Sequence, residues 1–148
     1  MNKITILGIL FLSLTILSSC RDNKTEKDNK KDKYKKEIKD PCDIVDYSID
    51  IFEDLQDLSD EYDDIDDLED NKKDNRTVDS YFEELEDAWK YAFKEFDEDM
   101  IVVFDGECRN NEGIEDAIDD LENFYEQRLE EFQDLLIEEM QQIYETEE

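Results

Sequence analysis

The chain of 148 residues contains no histidine, only three glycines and a single proline. Histidine is the usual base that activates a serine or cysteine nucleophile, and it is a common zinc ligand. Its absence therefore excludes a histidine-activated catalytic nucleophile and a zinc site with histidine ligands. Three glycines cannot build a glycine-rich phosphate loop, and no Gly-x-Ser-x-Gly turn is present. These absences predict a protein that is not an enzyme and that has no catalytic residue, no cofactor and no dedicated metal site.

The first 19 residues have the pattern of a signal peptide. Lys3 supplies one positive charge, and an uncharged, largely apolar run follows from Ile4 to Leu17. This run is shorter than the ~20 residues that a helix needs to cross a bilayer. A signal peptide is therefore favoured over a transmembrane anchor.

The apolar run ends in Leu17-Ser18-Ser19-Cys20, which resembles the lipobox of bacterial lipoprotein precursors. The resemblance covers only about the first 20 residues. It implies cleavage by signal peptidase II and acyl chains, such as palmitate, on Cys20; two or more chains anchor stably, whereas one holds marginally. The expected location is the bacterial cell envelope, on the periplasmic face or the cell surface. An ordinary secretory signal with a coincidental cysteine is the alternative.

Charge divides the rest of the chain into two parts. Residues 21–40 hold nine basic and six acidic residues, with only Tyr34 and Ile38 as apolar content. Such a composition cannot bury enough surface to fold, so residues 20–40 are predicted to be the lipidated cysteine and a disordered tether. Residues 41–148 hold seven basic and 41 acidic residues, for a net charge of −34, but also fourteen aromatic residues. This part is predicted to be a folded acidic helical domain.

Apolar residues spaced three and four apart predict three amphipathic helices, over about residues 42–70, 78–105 and 112–145. The last helix would be ~50 Å long at 1.5 Å per residue. The run 100–104 also suits a strand, but no second strand pattern exists to pair with it, and Gly106 offers a helix C-cap. The predicted fold is all-α: an antiparallel, up-down-up three-helix bundle after a signal peptide and a disordered tether.

This topology brings Cys42, at the start of the first helix, to the same end as Cys108, between the second and third. Beyond the cytoplasmic membrane, conditions permit a disulfide, which is predicted here; two free thiols are the alternative. The end with these cysteines joins the tether and is expected to lie nearest the membrane. The acidic end of the first helix and the C-terminal turns of the third are expected to point away from it.

The densest acidic cluster runs from Asp60 to Asp70. Like charges four residues apart destabilise a helix, and bound cations would relieve this. Weak calcium binding is therefore one functional hypothesis, although no stretch has EF-hand spacing, which favours a solvated acidic surface. The leading hypothesis is a non-enzymatic interaction or structural module that binds a cationic partner protein, in an inhibitor-like or immunity-like role. Nucleic-acid binding is disfavoured by the charge, and the oligomeric state is left open.

Overall fold

The computed structural model describes residues 33–146, which contain helices and no strand within that range. The predicted all-α class is confirmed. The elements are α1 (residues 33–37), α2 (Asp43–Ser59), α3 (Ile65–Asp70), α4 (Lys72–Phe96), a 3-10 helix (Asp97–Met100), α5 (Ile101–Phe104) and α6 (Asn111–Thr146). The predicted signal peptide and Cys20 lie outside the described residues.

The predicted helix over 42–70 is interrupted, because α2 ends at Ser59 and α3 begins only at Ile65. The Asp64 carboxylate caps α3 by accepting a hydrogen bond from the Asp67 N–H at 3.0 Å. Negative charge is unfavourable at a helix C-terminus and favourable at an N-terminus. A break within the acidic run therefore places Asp66 and Asp67 in the first turn of a new helix, where their charge is favourable.

The predicted helix over 78–105 begins earlier than expected. Asn71 is the N-cap of α4, and its side chain accepts hydrogen bonds from the backbone N–H groups of Lys73 and Asp74. Asparagine at this position satisfies N–H groups that have no partner within the helix. Residues 71–76, which lie between the first two predicted helices, are therefore the cap and first turn of α4.

The same predicted helix also ends earlier, at Phe96, where Asp97 adopts a positive φ of 46°. The chain continues through the 3-10 helix into α5, so the helical interpretation of residues 100–104 is confirmed. Gly106 has a φ of 74° and donates its N–H to Val103 O, while Glu107 donates to Val102 O. This pair of bonds is the Schellman motif, and the predicted C-cap at Gly106 is confirmed.

Helix α2 lies at the centre of the core and packs against both α4 and α6. Ser48 occupies the one position of its apolar stripe that lacks an apolar residue. Its hydroxyl donates to Ile44 O at 2.7 Å and accepts from the Trp89 indole N–H at 2.9 Å. Trp89 is 2% exposed and belongs to the core. The buried hydroxyl thus has partners on both helices.

The prediction of a tether extending to residue 40 is wrong for residues 33–40. Tyr34 and Ile38 are 5% and 1% exposed and belong to the core. They stand four residues apart, so both lie on one face of α1 and its exit, and the Tyr34 ring lies 5.5 Å from that of Tyr91. An average over twenty mostly charged residues conceals this apolar pair.

The predicted helix over 112–145 begins and ends within one residue of α6, but it is not continuous. Tyr125 has non-helical φ and ψ of −115° and 32°, with helix on either side. We call residues 111–124 the first half of α6 and residues 126–146 the second half. The single long helix of the sequence prediction is therefore corrected to two helices that meet at Tyr125.

Contacts show that the second half of α6 turns back along the core. Before the break, Asn110 bonds Asp46 near the start of α2, and the Tyr125 hydroxyl reaches Leu55 O near its end. After the break, Phe132 contacts Phe52, one turn back along α2. Ile143 then shares a pocket of about 300 Å³ with residues 90–97, at the end of α4.

The C-terminal turns of α6 therefore return to the end of the molecule where α2 begins. The expectation that they point away from the disulfide end is wrong. A straight helix would carry residue 143 about 27 Å beyond Tyr125, at 1.5 Å per residue. The reversal instead places Leu129, Phe132 and Ile143 in the core, at 2%, 1% and 6% exposure.

The docking of α1 can be tested by substitution of Ile38→Ala. Truncating a fully buried isoleucine costs about 2–5 kcal/mol, because contacts are lost and a cavity remains. The free energy of unfolding, measured by urea denaturation, should fall by an amount in this range. Lys36→Ala, at an exposed position of the same segment, should change it by less than about 0.5 kcal/mol. Equal, small effects of both substitutions would show that the segment does not pack on the core.

Candidate interaction surface

Two acidic stretches that are distant in sequence meet at one end of the molecule, which we call the acidic end. The first covers the α2–α3 connection and α3, and the second surrounds the break in α6. They are neighbours because the Tyr125 hydroxyl donates to Leu55 O at 3.0 Å, one turn before α2 ends. The exposed carboxylates of the acidic end are Asp60, Glu61, Asp63, Asp64, Asp66, Asp67, Glu69, Asp70, Asp119, Asp120, Glu122 and Glu126.

A hydrogen-bond network ties the first stretch to α4. The Tyr62 hydroxyl donates to the Asp74 carboxylate at 2.5 Å, and the Asn71 side-chain amide donates to both groups, at 2.8 and 3.0 Å. The hydrogen bond to Asp74 raises the pKa of Tyr62 above its usual value. These bonds hold the α2–α3 connection against the first turn of α4. The carboxylates of this connection therefore project from a backbone that is fixed in place.

Basic side chains offset only part of this charge. Lys72, Lys73 and Arg76 lie in the first turns of α4. Arg128, just after the break in α6, forms an ion pair with Asp79 of α4. Twelve exposed carboxylates against these four cations leave the acidic end strongly negative, and such a concentration of one sign attracts and steers cationic molecules.

Within residues 33–146, no group of three or more acidic or cysteine side chains is placed to hold a metal ion. The carboxylates of the acidic end are thus an extended surface there and not a preformed cage of the kind that calcium requires. The calcium hypothesis stays a prediction without a defined site among these residues.

Among residues 33–146, one carboxylate is buried, and no sequence pattern marks it. Glu84 of α4 is 8% exposed; its Oε1 accepts from the Tyr47 hydroxyl at 2.6 Å and lies 3.6 Å from Lys33 Nζ. The Lys33 ammonium also lies 5.4 Å from the centre of the Tyr47 ring. The three side chains join α1, α2 and α4. Both partners of the Glu84 carboxylate, the Tyr47 hydroxyl and the Lys33 ammonium, come from other helices, so we interpret Glu84 as a structural group. No local sequence feature distinguishes it among the 47 acidic residues.

The predicted disulfide between Cys42 and Cys108 is present, with their Cα atoms 5.4 Å apart. It links the start of α2 to the connection between α5 and α6. Beside it, the Asn111 side-chain amide donates to Val103 O at 2.6 Å, which fixes the start of α6 against α5. The disulfide and the acidic end thus lie at opposite ends of α2. Among the described helices, none has the length and hydropathy needed to cross a membrane.

Two of the buried tyrosines, Tyr47 and Tyr125, predict loss of stability at high pH. Burial, and for Tyr47 the bond to Glu84, raise the pKa values of Tyr47 and Tyr125 well above the usual value near 10. The folded protein keeps both hydroxyls protonated while the unfolded chain releases these protons above pH 10, so the free energy of unfolding should fall as pH rises beyond 10.

Absorbance of tyrosinate and helical circular dichroism, followed together from pH 8 to 13, check this. At least Tyr47 and Tyr125 should ionise only as helix is lost, and with Tyr47→Phe one tyrosine fewer should do so. Complete ionisation of all tyrosines before any loss of helix would contradict the burial of these hydroxyls.

Comparison of the chain with protein-family models, with curated proteins and with solved structures finds no match.

Proposed function

We propose that this protein is a lipid-anchored, non-enzymatic helical protein of the bacterial cell envelope that binds a cationic protein through its acidic end. The observation that carries the binding role is the meeting of two acidic stretches, around residues 60–70 and 119–126, at one end of the core. The lipobox-like sequence that ends at Cys20 supports the anchoring role. An inhibitor-like or immunity-like role against a basic enzyme or toxin is consistent with both.

The proposed arrangement is an antiparallel bundle in which α2, α4 and the first half of α6 run up, down and up, and the second half of α6 returns downward. Residues 1–19 are the signal peptide in this proposal. Lys33 contacts Tyr47, in the second turn of α2, so the chain from Cys20 joins the bundle nearer the disulfide end than the acidic end. The twelve residues 21–32 would span at most about 40 Å when fully extended.

Such an attachment leaves the acidic end accessible from the side opposite the membrane. Clustered charge of one sign raises the rate of encounter with an oppositely charged partner, and this effect weakens as salt screens it. The partner is therefore expected to carry a basic surface wide enough to cover both acidic stretches.

Lipid anchoring is tested by expression of the full chain in bacteria that are fed an alkyne-labelled fatty acid. The unchanged chain should incorporate the label and fractionate with membranes, because Cys20 carries the acyl chains. Cys20→Ala should lose the label and leave the membrane fraction. Retention of label in this variant would rule out Cys20 as the acylation site, and absence of label in the unchanged chain would rule out the lipoprotein proposal.

The binding role is tested with two variants that each remove four negative charges. The first neutralises the acidic end with Asp60→Asn, Asp63→Asn, Glu122→Gln and Glu126→Gln. The matched control neutralises exposed carboxylates of the 3-10 helix and the α5–α6 connection with Glu98→Gln, Asp99→Asn, Asp105→Asn and Glu107→Gln.

Crosslinking on intact cells should capture a basic protein with the unchanged chain and with the control, and its yield should fall as salt rises. The acidic-end variant should lose it. Equal capture by both variants would show that the acidic end is not the binding surface. Restored capture by the acidic-end variant on addition of calcium would favour a cation-linked role instead.

A further inference from the structure

We propose that the second half of α6 can exchange between two copies of this chain, producing a domain-swapped dimer in which α6 is one continuous helix. The proposal rests on the break at Tyr125, on the contacts of residues 126–146 with the core, and on the sequence around the break. It is independent of the proposed binding role.

The sequence at the break favours a continuous helix. No glycine or proline occurs in Leu121–Leu129, and no loop separates the two halves of α6. Tyr125 alone departs from helical geometry, with φ and ψ of −115° and 32°. Rotation of these two angles to values near −63° and −42° would restore the helical hydrogen bonds across the break. The straight helix of 36 residues would be about 54 Å long.

The second half of α6 cannot leave the core unless another segment covers the apolar surface that it leaves behind. Leu129, Phe132 and Ile143 are at most 6% exposed. The Phe132 ring packs against Phe52 and Trp89, at centroid distances of 6.2 and 6.1 Å. A straightened α6 would expose both sides of this contact to water, which is unfavourable.

A second copy offers the identical groove between α2 and α4. If two chains straighten α6 together, each second half can occupy the groove of the other chain and restore every core contact outside the break. Domain swapping has a low free-energy cost for this reason, and short connections favour it. The monomer and the dimer then differ chiefly at Tyr125 and in the repulsion between two acidic chains.

The position of Tyr125 sets the balance between the two forms. In the monomer its hydroxyl donates to Leu55 O at 3.0 Å, and its ring contacts Phe82 and Phe124. The hydrogen bond holds the break against α2 of the same chain, and the Phe82 contact holds it against α4. Helical geometry at Tyr125 would remove that hydrogen bond and gain the helical ones instead. Because the chain carries a net charge of −30, added salt should favour the dimer.

The exchange is tested by mixing two chains that begin at Arg21, and so keep every described residue, with different affinity tags. One carries Asp79→Cys and the other Arg128→Cys, at the partly exposed ion pair between α4 and the second half of α6. The chains are unfolded and refolded together at high concentration and moderate salt, with the Cys42–Cys108 disulfide intact. A short bismaleimide then joins thiols that lie close together.

A swapped dimer should yield a crosslink between the two different tags, because position 79 of one chain meets position 128 of the other. Light scattering should report twice the monomer mass. The double variant Asp79→Cys, Arg128→Cys, kept dilute, should crosslink within one chain and shows that the reagent spans the pair. The proposal is overturned if the double variant crosslinks within one chain while the mixture of single variants stays monomeric and yields no crosslink between the two tags.

The role of the break is tested with Tyr125→Phe, which removes only the hydroxyl. Loss of one hydrogen bond in each of two chains should tighten dimerisation by roughly tenfold or more. Tyr144→Phe, at a tyrosine that is 49% exposed, is the matched control and should leave it unchanged. Insertion of Gly-Ser-Gly-Ser after Glu126 should weaken it. Equal dimerisation constants for all four chains would refute control by the break.

Discussion

The burial of one wide face of α2 is the constraint from which the rest of the structure follows. Ile44, Ile51 and Leu55 form one stripe of this face, Val45 and Phe52 lie together beside it, and all five are at most 3% exposed. Two neighbouring helices cannot cover so wide an apolar surface. The docking of α1 and the return of the second half of α6 cover what α4 and the first half of α6 leave open.

The same constraint determines where the negative charge can reside. With the core centred on α2, nearly all carboxylates lie on the outer surfaces of helices or at their ends, where water and ions screen them. Several of them also stabilise the fold locally: Asp64 caps α3, Asp74 accepts hydrogen bonds at the start of α4, and Asp79 pairs with Arg128. Glu84 is the exception within the described residues, and its burial is offset by Tyr47 and Lys33.

Apolar spacing was sufficient to predict the helical class, the approximate extent of the helices and the Cys42–Cys108 disulfide, because each depends on periodicity or on the end of a helix. The breaks were not predictable in the same way. Nothing around Tyr125 opposes a helix locally, and the reversal there depends on the distant groove that accepts Phe132. The start of α4 at Asn71 had a local signal, an asparagine cap, which was masked by the neighbouring charges.

The candidate interaction surface, like the fold, was predictable from the sequence only in part. The acidic run from Asp60 to Asp70 is evident in the sequence, whereas its proximity to Glu122 and Glu126 follows only from the reversal of α6. The docking of residues 33–40 depends on just two side chains, Tyr34 and Ile38, in a strongly charged segment. Average composition is a poor guide for such a segment, because a pair of residues on one face is enough to bind it to an existing core.

The position of α1 has a mechanical consequence for a body that is held from its N-terminal side. A pull on Lys33 would first detach α1 one residue at a time, since Tyr34 and Ile38 leave the core in succession. After Pro41 the load would reach Cys42, where the disulfide divides it between the start of α2 and the connection before α6. Under load, α1 would therefore detach first and lengthen the connection to the anchor. The Cys42–Cys108 disulfide would keep the start of α2 joined to the connection before α6.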